Sequence, residues 1–352
     1  MTGKWLRISR VITDHTVVIP IKKHKVSTLI LIDLLCICLG FGLFCLFHFV
    51  LDLSGDPQPV VLISPAPAEP PAASAAVPSG EPPAESAGPE DGTSQAGHNA
   101  QTESGLFGEK FSDRFTGGEV LCSEDSYRSR NISVTVSHRE ENGIVFNIAD
   151  IYIRDMRFFK TALGGDGFRK STEMLPDLAR RHGAVVAISG DHYGARAKGV
   201  VVRNGILYRN TPSEDVCILT SGGDLITIPA DKYDPELLGE YDIWQVWCFG
   251  PELLENGRVK TSFNSNVKRA NPRSAIGCVE PGHYYFVQVD GRIPASAGMT
   301  LEQLSRLFQE FGCVSAYNLD GGQTSGFWWN GSLLSYPYGR PVWDMIYIGE
   351  DE

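Results

Sequence analysis

Four Asn-Gly dipeptides constrain the fold of this chain more than any other sequence feature. They are Asn142-Gly143, Asn204-Gly205, Asn256-Gly257 and Asn330-Gly331. Each lies beside apolar or β-branched residues, as in VVVRNGILYR. A type I′ turn needs a positive φ at both central residues, and Asn followed by Gly adopts this conformation readily. The sequence therefore predicts four β-hairpins, with further chain reversals at Gly222-Gly223 and Pro281-Gly282.

After residue 107, only two segments show the pattern of helices, residues 171–182 and 300–311. Each is followed by a glycine, which commonly ends a helix, and Thr300 and Gln303 have the spacing of a capping box. Many hairpins with few helices predict an α+β fold, built on a mixed, largely antiparallel β-sheet with flanking helices. We assign this folded domain to residues 107–352.

The segment before this domain is divided by its charge and hydropathy. Residues 1–25 contain six Lys/Arg and one Asp, whereas residues 29–50 are apolar except for Asp33 and His48. About 20 apolar residues suffice to cross a bilayer as a helix, and a basic flank stays on the cytoplasmic side. We therefore expect a basic cytoplasmic tail at 1–25 and a single transmembrane anchor at 26–51. A cleaved signal peptide is the alternative, but the apolar stretch is long for one and no small-residue cleavage site follows closely.

Residues 52–106 have the composition of a disordered linker. Ten of the chain's 21 prolines lie between residues 54 and 105, where there is no aromatic residue. Such a segment cannot bury enough apolar surface to offset its chain entropy. We expect it to hold the domain outside the cell membrane.

The net charge of −11 disfavours nucleic acid as a partner.

Three loops rich in glycine and polar residues follow or precede apolar strands. They are SGDHYG at 189–194, NPRSAIG at 271–277 and NLDGGQTS at 318–325, the last followed by Trp328-Trp329. Functional residues often lie on loops carried by a rigid sheet. Each motif also has a structural interpretation, because Asp-Gly pairs form ordinary turns and an arginine often forms a weak surface ion pair.

Taken together, these loops resemble the phosphodiester glycosidase family, to which the uncovering enzyme N-acetylglucosamine-1-phosphodiester α-N-acetylglucosaminidase belongs. The similarity extends from about residue 183 to 348 and also includes RNGILYR, VDGR followed by GMTLEQLSRLF, NGSLLSYP and WDMIYIG. The resemblance implies a hydrolase that cleaves a sugar–phosphate bond in a sugar-1-phosphodiester. With the anchor, it implies a bacterial, membrane-anchored member that acts outside the cytoplasm on surface or wall glycopolymers or related glycoconjugates.

The chemistry of this bond suggests roles for the loop residues. A carboxylate is needed near the developing positive charge of the sugar, and Asp320 is the first candidate and Asp191 the second. Arg273 and then Arg292 are candidates for holding the phosphate, because a guanidinium can bind two phosphate oxygens at once. The other predicted substrate-binding residues are Asn318, Gly321, Gly322, Thr324, Ser325, His192 and Trp328.

Three residues depart from the family's pattern. Ser189 and His192 stand where the family usually has Asn and an aromatic residue, and Gln323 replaces a Gly in the third loop. The alternative function is therefore a non-catalytic domain that binds or organises envelope polysaccharide.

We expect no obligatory cofactor. A calcium ion held by Asp191, Asp320 and Asp344 is an alternative, because carboxylates are suitable oxygen ligands for this cation. The five cysteines of the domain lack metal-binding spacing and are expected to be mainly buried free thiols, with one internal disulfide as the alternative.

Overall fold

The computed structural model describes residues 35, 37–39, 59–62 and 105–351. The chain divides into two compact units, residues 1–56 and 57–352. In the first unit, the described residues 35 and 37–39 are helical and exposed. None of the helices within the described ranges combines the length and the apolar character needed to cross a membrane. The predicted tail at 1–25 and most of the predicted anchor and linker lie outside the described residues.

The second unit is built from antiparallel strands, and every strand pair in its described part is antiparallel. The largest sheet has seven strands. In spatial order they are β17 (Ser315–Asn318), β15 (Arg273–Glu280), β16 (His283–Val289), β5 (Ile144–Ile153), β4 (Ile132–Glu141), β3 (Ser126–Arg128) and β2 (Leu121–Cys122). The prediction of a largely antiparallel architecture is confirmed. The described strands form no parallel pair, so the predicted mixed character of the sheet is not found among them.

Two further sheets and a short hairpin complete the described strands. A six-stranded sheet has the order β1 (Val60–Val61), β9 (Ile206–Thr211), β8 (Gly199–Arg203), β12 (Ile243–Trp247), β10 (Val216–Thr220) and β11 (Leu225–Ile228). A five-stranded sheet has the order β19 (Ser332–Leu333), β18 (Phe327–Trp329), β7 (Val186–Ser189), β20 (Asp344–Ile348) and β6 (Phe159–Leu163). The hairpin pairs β13 (Leu254–Glu255) with β14 (Arg258–Val259).

All four predicted Asn-Gly hairpins are confirmed. The dipeptides connect β4 to β5, β8 to β9, β13 to β14 and β18 to β19, and each Asn and each Gly has a positive φ. The reversals at 222–223 and 281–282 likewise connect β10 to β11 and β15 to β16. Turn chemistry therefore fixed much of the strand pairing.

Two α-helices pack against the sheets in this part of the chain. Helix α1 (Leu175–Arg181) begins later than predicted, because Glu173 pairs with Val342 as an isolated β-bridge and Met174 has an extended conformation. Helix α2 (Leu301–Glu310) begins at the predicted capping box, with both reciprocal hydrogen bonds of Thr300 and Gln303 present. Its apolar face buries Leu301, Leu304, Leu307 and Phe308 in the same cluster as residues of β15 and β16.

Five short 3₁₀ helices connect the strands of this part. They are Met156–Phe158, Gly164–Asp166, Tyr193–Ala195, Pro235–Gly239 and Gly322–Thr324. The main core lies where the three large sheets face one another and includes residues from β4, β7, β10, β16 and β18. Cys217, Cys248, Cys278 and Cys313 are buried free thiols, as expected, whereas Cys122 is a free thiol that is exposed.

One part of the predicted linker is ordered against the domain. Val60 and Val61 form β1, which pairs with Leu207 and Ile206 at the edge of the six-stranded sheet. The Leu62 N–H also donates to the Gly205 carbonyl at 2.7 Å. Residues 59–62 therefore differ from the predicted disordered linker, because the open edge of β9 supplies backbone partners to a short β-branched segment.

Candidate functional site

The three glycine-rich loops meet at one end of the sheets through backbone hydrogen bonds. The third loop lies between the other two, because the Asp320 N–H donates to the Gly190 carbonyl at 2.9 Å and the Gly322 N–H donates to the Pro272 carbonyl at 3.0 Å. The Ser189 hydroxyl also donates to the Asp320 carbonyl at 2.8 Å. The loops are thus held as one rigid surface.

Gly321 permits the closest of these approaches. A Cβ atom at this position would lie 2.5 Å from the Pro272 carbonyl oxygen and 3.0 Å from the Arg273 Cα. Such a side chain would separate the second and third loops. The predicted importance of this glycine is therefore explained by backbone packing.

A polar cavity of about 390 Å³ opens where the loops meet. Four arginines line it, Arg196, Arg273, Arg292 and Arg340. The acidic residues of its wall are Glu214 and Asp320. Residues 110–352 carry 25 basic and 31 acidic residues, so the cavity is locally cationic in an acidic domain. Clefts lined by one sign of charge attract ligands of the opposite sign.

Arg273 is the most buried of these arginines, with 4% of its surface exposed. Its Nε donates to the Met299 carbonyl at 3.0 Å, and its Nη2 donates to the carbonyls of Val267 and Arg269 at 2.8 and 2.7 Å. Within the described ranges its Nη1 makes no hydrogen bond, and no carboxylate lies within ion-pair distance. Burial, together with the nearby Arg292, lowers the pKa of Arg273 to about 10.

A guanidinium held only by neutral carbonyls keeps its positive charge uncompensated. At neutral pH a group with a pKa of about 10 is still protonated. An anion that enters the cavity would therefore gain a charge-assisted hydrogen bond from a donor whose orientation is already fixed.

Two other arginines extend the cationic wall. Nε of Arg292 donates to the Asn271 Oδ1 at 3.0 Å, and a Cβ built on Gly322 would lie 3.7 Å from its Nη1. Arg196 lies over the Phe249 ring at 4.9 Å and is 4.0 Å from a Glu214 carboxylate oxygen. Three of the cations that line the cavity thus come from the second loop, from the residues just after the first loop and from the turn after β16.

Asp320 is the carboxylate at the centre of this wall. Its Oδ2 lies 3.2 Å from Nδ1 of His192, and the two side chains are 17% and 23% exposed. The contact has ion-pair distance but lacks hydrogen-bond geometry. A partly exposed carboxylate beside an imidazole can accept a proton or attack an electrophilic carbon.

Backbone N–H groups of the third loop supplement the arginines that line the cavity. The Gly322 N–H already donates to the Pro272 carbonyl, so this amide is not free to bind substrate as predicted. The amides of Gly321 and Gln323, which also line the cavity, have no acceptor among residues 105–351. Asn318 lines the cavity, and its Nδ2 donates to the Gly250 carbonyl at 2.8 Å.

Comparisons with known proteins agree with this arrangement. Residues 182–349 match the sequence model of the family described as phosphodiester glycosidase. The bovine N-acetylglucosamine-1-phosphodiester alpha-N-acetylglucosaminidase is 36% identical over 76 residues, which are 22% of this chain and 14% of that protein. Residues 182–349 belong to the phosphodiester glycosidase family.

Two further relatives extend the comparison. The SPbeta prophage-derived uncharacterized protein YomE of Bacillus subtilis is 28% identical over 165 residues, covering 44% of this chain and 25% of that protein. The catalytic domain of the zebrafish N-acetylglucosamine-1-phosphodiester alpha-N-acetylglucosaminidase shares the fold, with a TM-score of 0.53 and 20% identity over 66% of this chain and 88% of that one. The matches span a quarter or less of the length of the bovine and Bacillus subtilis proteins.

Asp191 of the phosphodiester glycosidase domain lies beneath the cavity and does not line it. Its Oδ2 accepts the Cys248 N–H at 3.0 Å and lies 3.6 Å from Nη2 of Arg203. Nε of Arg203 donates to Asp344 Oδ2 at 2.7 Å. All three side chains are at most 2% exposed. This position differs from the predicted catalytic role, because the charge of Asp191 is directed at a buried guanidinium.

The same cluster changes the interpretation of the possible calcium site. Asp191 and Asp344 share Arg203, whereas Asp320 lies beside His192. Among the described residues no group of three or more His, Cys, Asp or Glu side chains has the arrangement of metal ligands. The three aspartates therefore do not converge, and a guanidinium stands between two of them.

Three predicted binding residues have structural contacts instead. The Thr324 hydroxyl donates to the Gly321 carbonyl, and the Ser325 hydroxyl donates to the Arg273 carbonyl at 2.8 Å. Trp328 is 3% exposed, and its indole donates to the Ala184 carbonyl at 3.0 Å. None of the three lines the cavity, so they shape its wall from behind.

Sequence reasoning missed three charged residues of the cavity. Arg196 follows the first loop by only two positions, which was the available signal. Glu214 and Arg340 lie outside the three glycine-rich loops and reach the site through the tertiary fold. The segment of residues 264–267 was also missed, since it has neither a glycine-rich motif nor a regular pattern.

Proposed function

We propose that this domain is a hydrolase that cleaves the bond between the anomeric carbon of a sugar and a phosphate oxygen in a sugar-1-phosphodiester. The observation that carries the proposal is the buried, uncompensated guanidinium of Arg273 in the same cavity as the carboxylate of Asp320. The first matches the phosphodiester anion, and the second matches the positive charge that develops on the sugar.

The reaction needs little help at its leaving group. When the C1–O bond breaks, its electron pair goes to the phosphate oxygen, and a phosphate monoester is already a weak base. Arg273 and Arg292 hold this group and stabilise its added charge. A strong general acid is therefore less necessary than in hydrolysis of an ordinary glycoside, which fits a cavity whose carboxylates are only Asp320 and Glu214 in the described part of its wall.

Asp320 acts at the sugar. Its carboxylate either attacks C1, forming an intermediate that water then hydrolyses, or removes a proton from the water that attacks C1. In both cases water supplies the hydroxyl at C1 and the proton gained by the phosphate. The anomeric configuration of the first product distinguishes the routes, since the covalent route retains it and direct attack inverts it.

The full-length chain should be assayed on a panel of sugar-1-phosphodiesters with the variants Asp320→Asn and Arg273→Ala. Arg139→Ala is a matched control, because this arginine lies on the exposed part of β4 with 44% of its side chain accessible. We expect turnover by wild type and the control and a large loss in the two site variants. Equal turnover by all four proteins would refute the proposal, and glycan binding without any turnover would favour the polysaccharide-binding alternative.

We further propose that the domain works outside the cytoplasm on cell-surface or wall glycopolymers or related glycoconjugates, held to the membrane by residues 26–51. The basic segment 1–25 and the apolar stretch 29–50 support this proposal. Protease treatment of intact cells should digest the domain while leaving the tail protected. Release of the whole chain without detergent would contradict the anchor.

A further inference from the structure

We propose that a recess beside the cavity binds a second phosphate of the substrate, on the alcohol side of the bond that is cleaved. The recess has a volume of about 460 Å³, and Lys268 and Arg269 line it; we call it the basic recess. The inference rests on the proposed function and adds to it a substrate class, chains in which sugar-1-phosphodiesters are followed by further phosphate groups.

The basic recess and the cavity are adjacent. Ser265, Asn266, Val267 and Asn271 line both of them. A ligand whose phosphate contacts Arg273 can therefore reach the recess by extending along this segment.

The backbone that carries the two cations is fixed to the cavity itself. The carbonyls of Val267 and Arg269 both accept hydrogen bonds from Nη2 of Arg273, at 2.8 and 2.7 Å. The Lys268 carbonyl accepts the N–H of Leu301, at the start of helix α2, at 3.1 Å. The segment is thus positioned before any ligand binds, which lowers the entropy lost on binding.

The charges of the basic recess are available to a ligand. Neither Lys268 nor Arg269 forms an ion pair with any carboxylate in the part of the chain that the structure describes, and no carboxylate lines this recess. Both could therefore contact a phosphate without first breaking a salt bridge.

Another recess beside the cavity has the reverse charge. A second recess meets the cavity at Asn264 and is lined by Asp215, Asp231 and Glu255. Its Lys260 is already paired with Glu252. A chain of repeating anions would be repelled there, so the two recesses together define one direction for such a substrate.

The order of groups along the cavity gives the chemical direction. Asp320 contacts the sugar carbon and Arg273 the phosphate, and the basic recess begins at the carbonyls bonded to Arg273. What lies beyond the phosphate in a sugar-1-phosphodiester is the alcohol. The second phosphate is therefore placed on the alcohol side.

The test compares two substrates with the same sugar, one ending in glycerol and the other in glycerol phosphate beyond the scissile phosphodiester. We expect wild type to have the higher kcat/KM for the glycerol phosphate substrate. The double variant with Lys268→Ala and Arg269→Ala should lower kcat/KM about tenfold for this substrate and by less than about twofold for the glycerol substrate. The control is Lys170→Ala with Arg139→Ala, which removes the same charge from exposed positions elsewhere and should change neither.

Equal kcat/KM values for the two substrates in wild type, or an equal loss for both in the double variant, would overturn the second phosphate site. Calorimetric binding of both compounds is measured in parallel. If nothing is hydrolysed, the proposed function fails, whereas tighter binding of the glycerol phosphate compound that is lost only in the recess variant would still support the site. Identical binding of the two compounds would overturn it.

Discussion

Two buried arginines in this domain have opposite electrostatic surroundings. Arg203 lies beneath the cavity against two carboxylates, whereas Arg273 lies in the cavity wall and donates to three carbonyls. Burial lowers the pKa of Arg203, but the attraction of Asp344 and Asp191 outweighs it, and the pKa is raised. For Arg273, burial and the nearby Arg292 lower the pKa to about 10.

The difference separates a structural charge from one suited to a ligand. Arg203 already has its counterions, so an incoming anion would gain little from it and cannot reach it at 1% exposure. Burial removes water from the Arg273 guanidinium, and no carboxylate offsets the resulting free-energy cost. Only an anion in the cavity can compensate its charge. Burial alone therefore does not identify a binding arginine, and it is the lack of a carboxylate partner in the cavity wall that distinguishes Arg273 from Arg203.

The largest expected effect is the loss of stability on removing Arg203, the arginine that is paired with two carboxylates. Arg203→Met leaves Asp191 and Asp344 buried together, and breaking such a pair costs about 3–5 kcal/mol. We expect the free energy of unfolding, measured with urea, to fall by this amount. Adding Asp191→Asn and Asp344→Asn to the variant should recover part of the loss. An unchanged unfolding free energy in Arg203→Met would show that the cluster is not a stabilising unit.

Removing Arg273, the arginine without a carboxylate partner, should mainly lower activity. We expect Arg273→Met to lower kcat/KM on the order of 10³-fold, because a fixed donor to the reacting anion is lost. The free energy of unfolding should fall by only about 1–2 kcal/mol, since the three carbonyls lose a donor but no buried charge is left alone. A loss of stability as large as that of Arg203→Met, with retained activity, would reverse the comparison.

The pH dependence of stability distinguishes the two regions further. Burial and the neighbouring Asp191 raise the pKa of Asp344 to about 6, against the opposing attraction of Arg203. A carboxyl group whose pKa is higher in the folded state than in the unfolded state stabilises the fold at pH values below its unfolded-state pKa. This contribution is lost as the pH rises through its folded-state pKa.

Wild type should therefore lose stability relative to Asp344→Asn between about pH 4 and pH 6, by up to about 3 kcal/mol. Urea unfolding of both proteins at several pH values measures the difference. A constant difference across this range would mean that Asp344 does not titrate there. The same series on Arg273→Met should retain the wild-type slope.

The sequence predicted the parts of the fold that depend on local chemistry. The Asn-Gly turns and the capping box of helix α2 each need only neighbouring residues, and all were found. The start of helix α1 was wrong because Glu173 pairs with Val342, a contact between residues far apart in the chain. The pairing of residues 60–61 with β9 was missed for the same reason.

The candidate site was predictable to the extent that its residues lie on motifs. Asp320, Arg273 and Arg292 were selected from glycine-rich loops and all line one cavity. Trp328 and Asp191 lie on similar motifs, but their side chains point into the core and to Arg203. Which side of a loop faces the cavity depends on the tertiary packing, and no local pattern contains this information.

The smallest expected effect tests how rigidly Arg273 is held. Its Nε donates to the carbonyl of Met299, the residue before the N-cap Thr300. Thr300→Ala removes the side-chain acceptor of the Gln303 N–H and should lower the free energy of unfolding by about 1 kcal/mol. Thr300→Ser keeps the acceptor and is the control. Because Arg273 is also held by Val267 and Arg269, kcat/KM should change by less than about threefold in Thr300→Ala. A loss approaching that of Arg273→Met would show instead that the helix terminus alone sets the position of the phosphate-binding guanidinium.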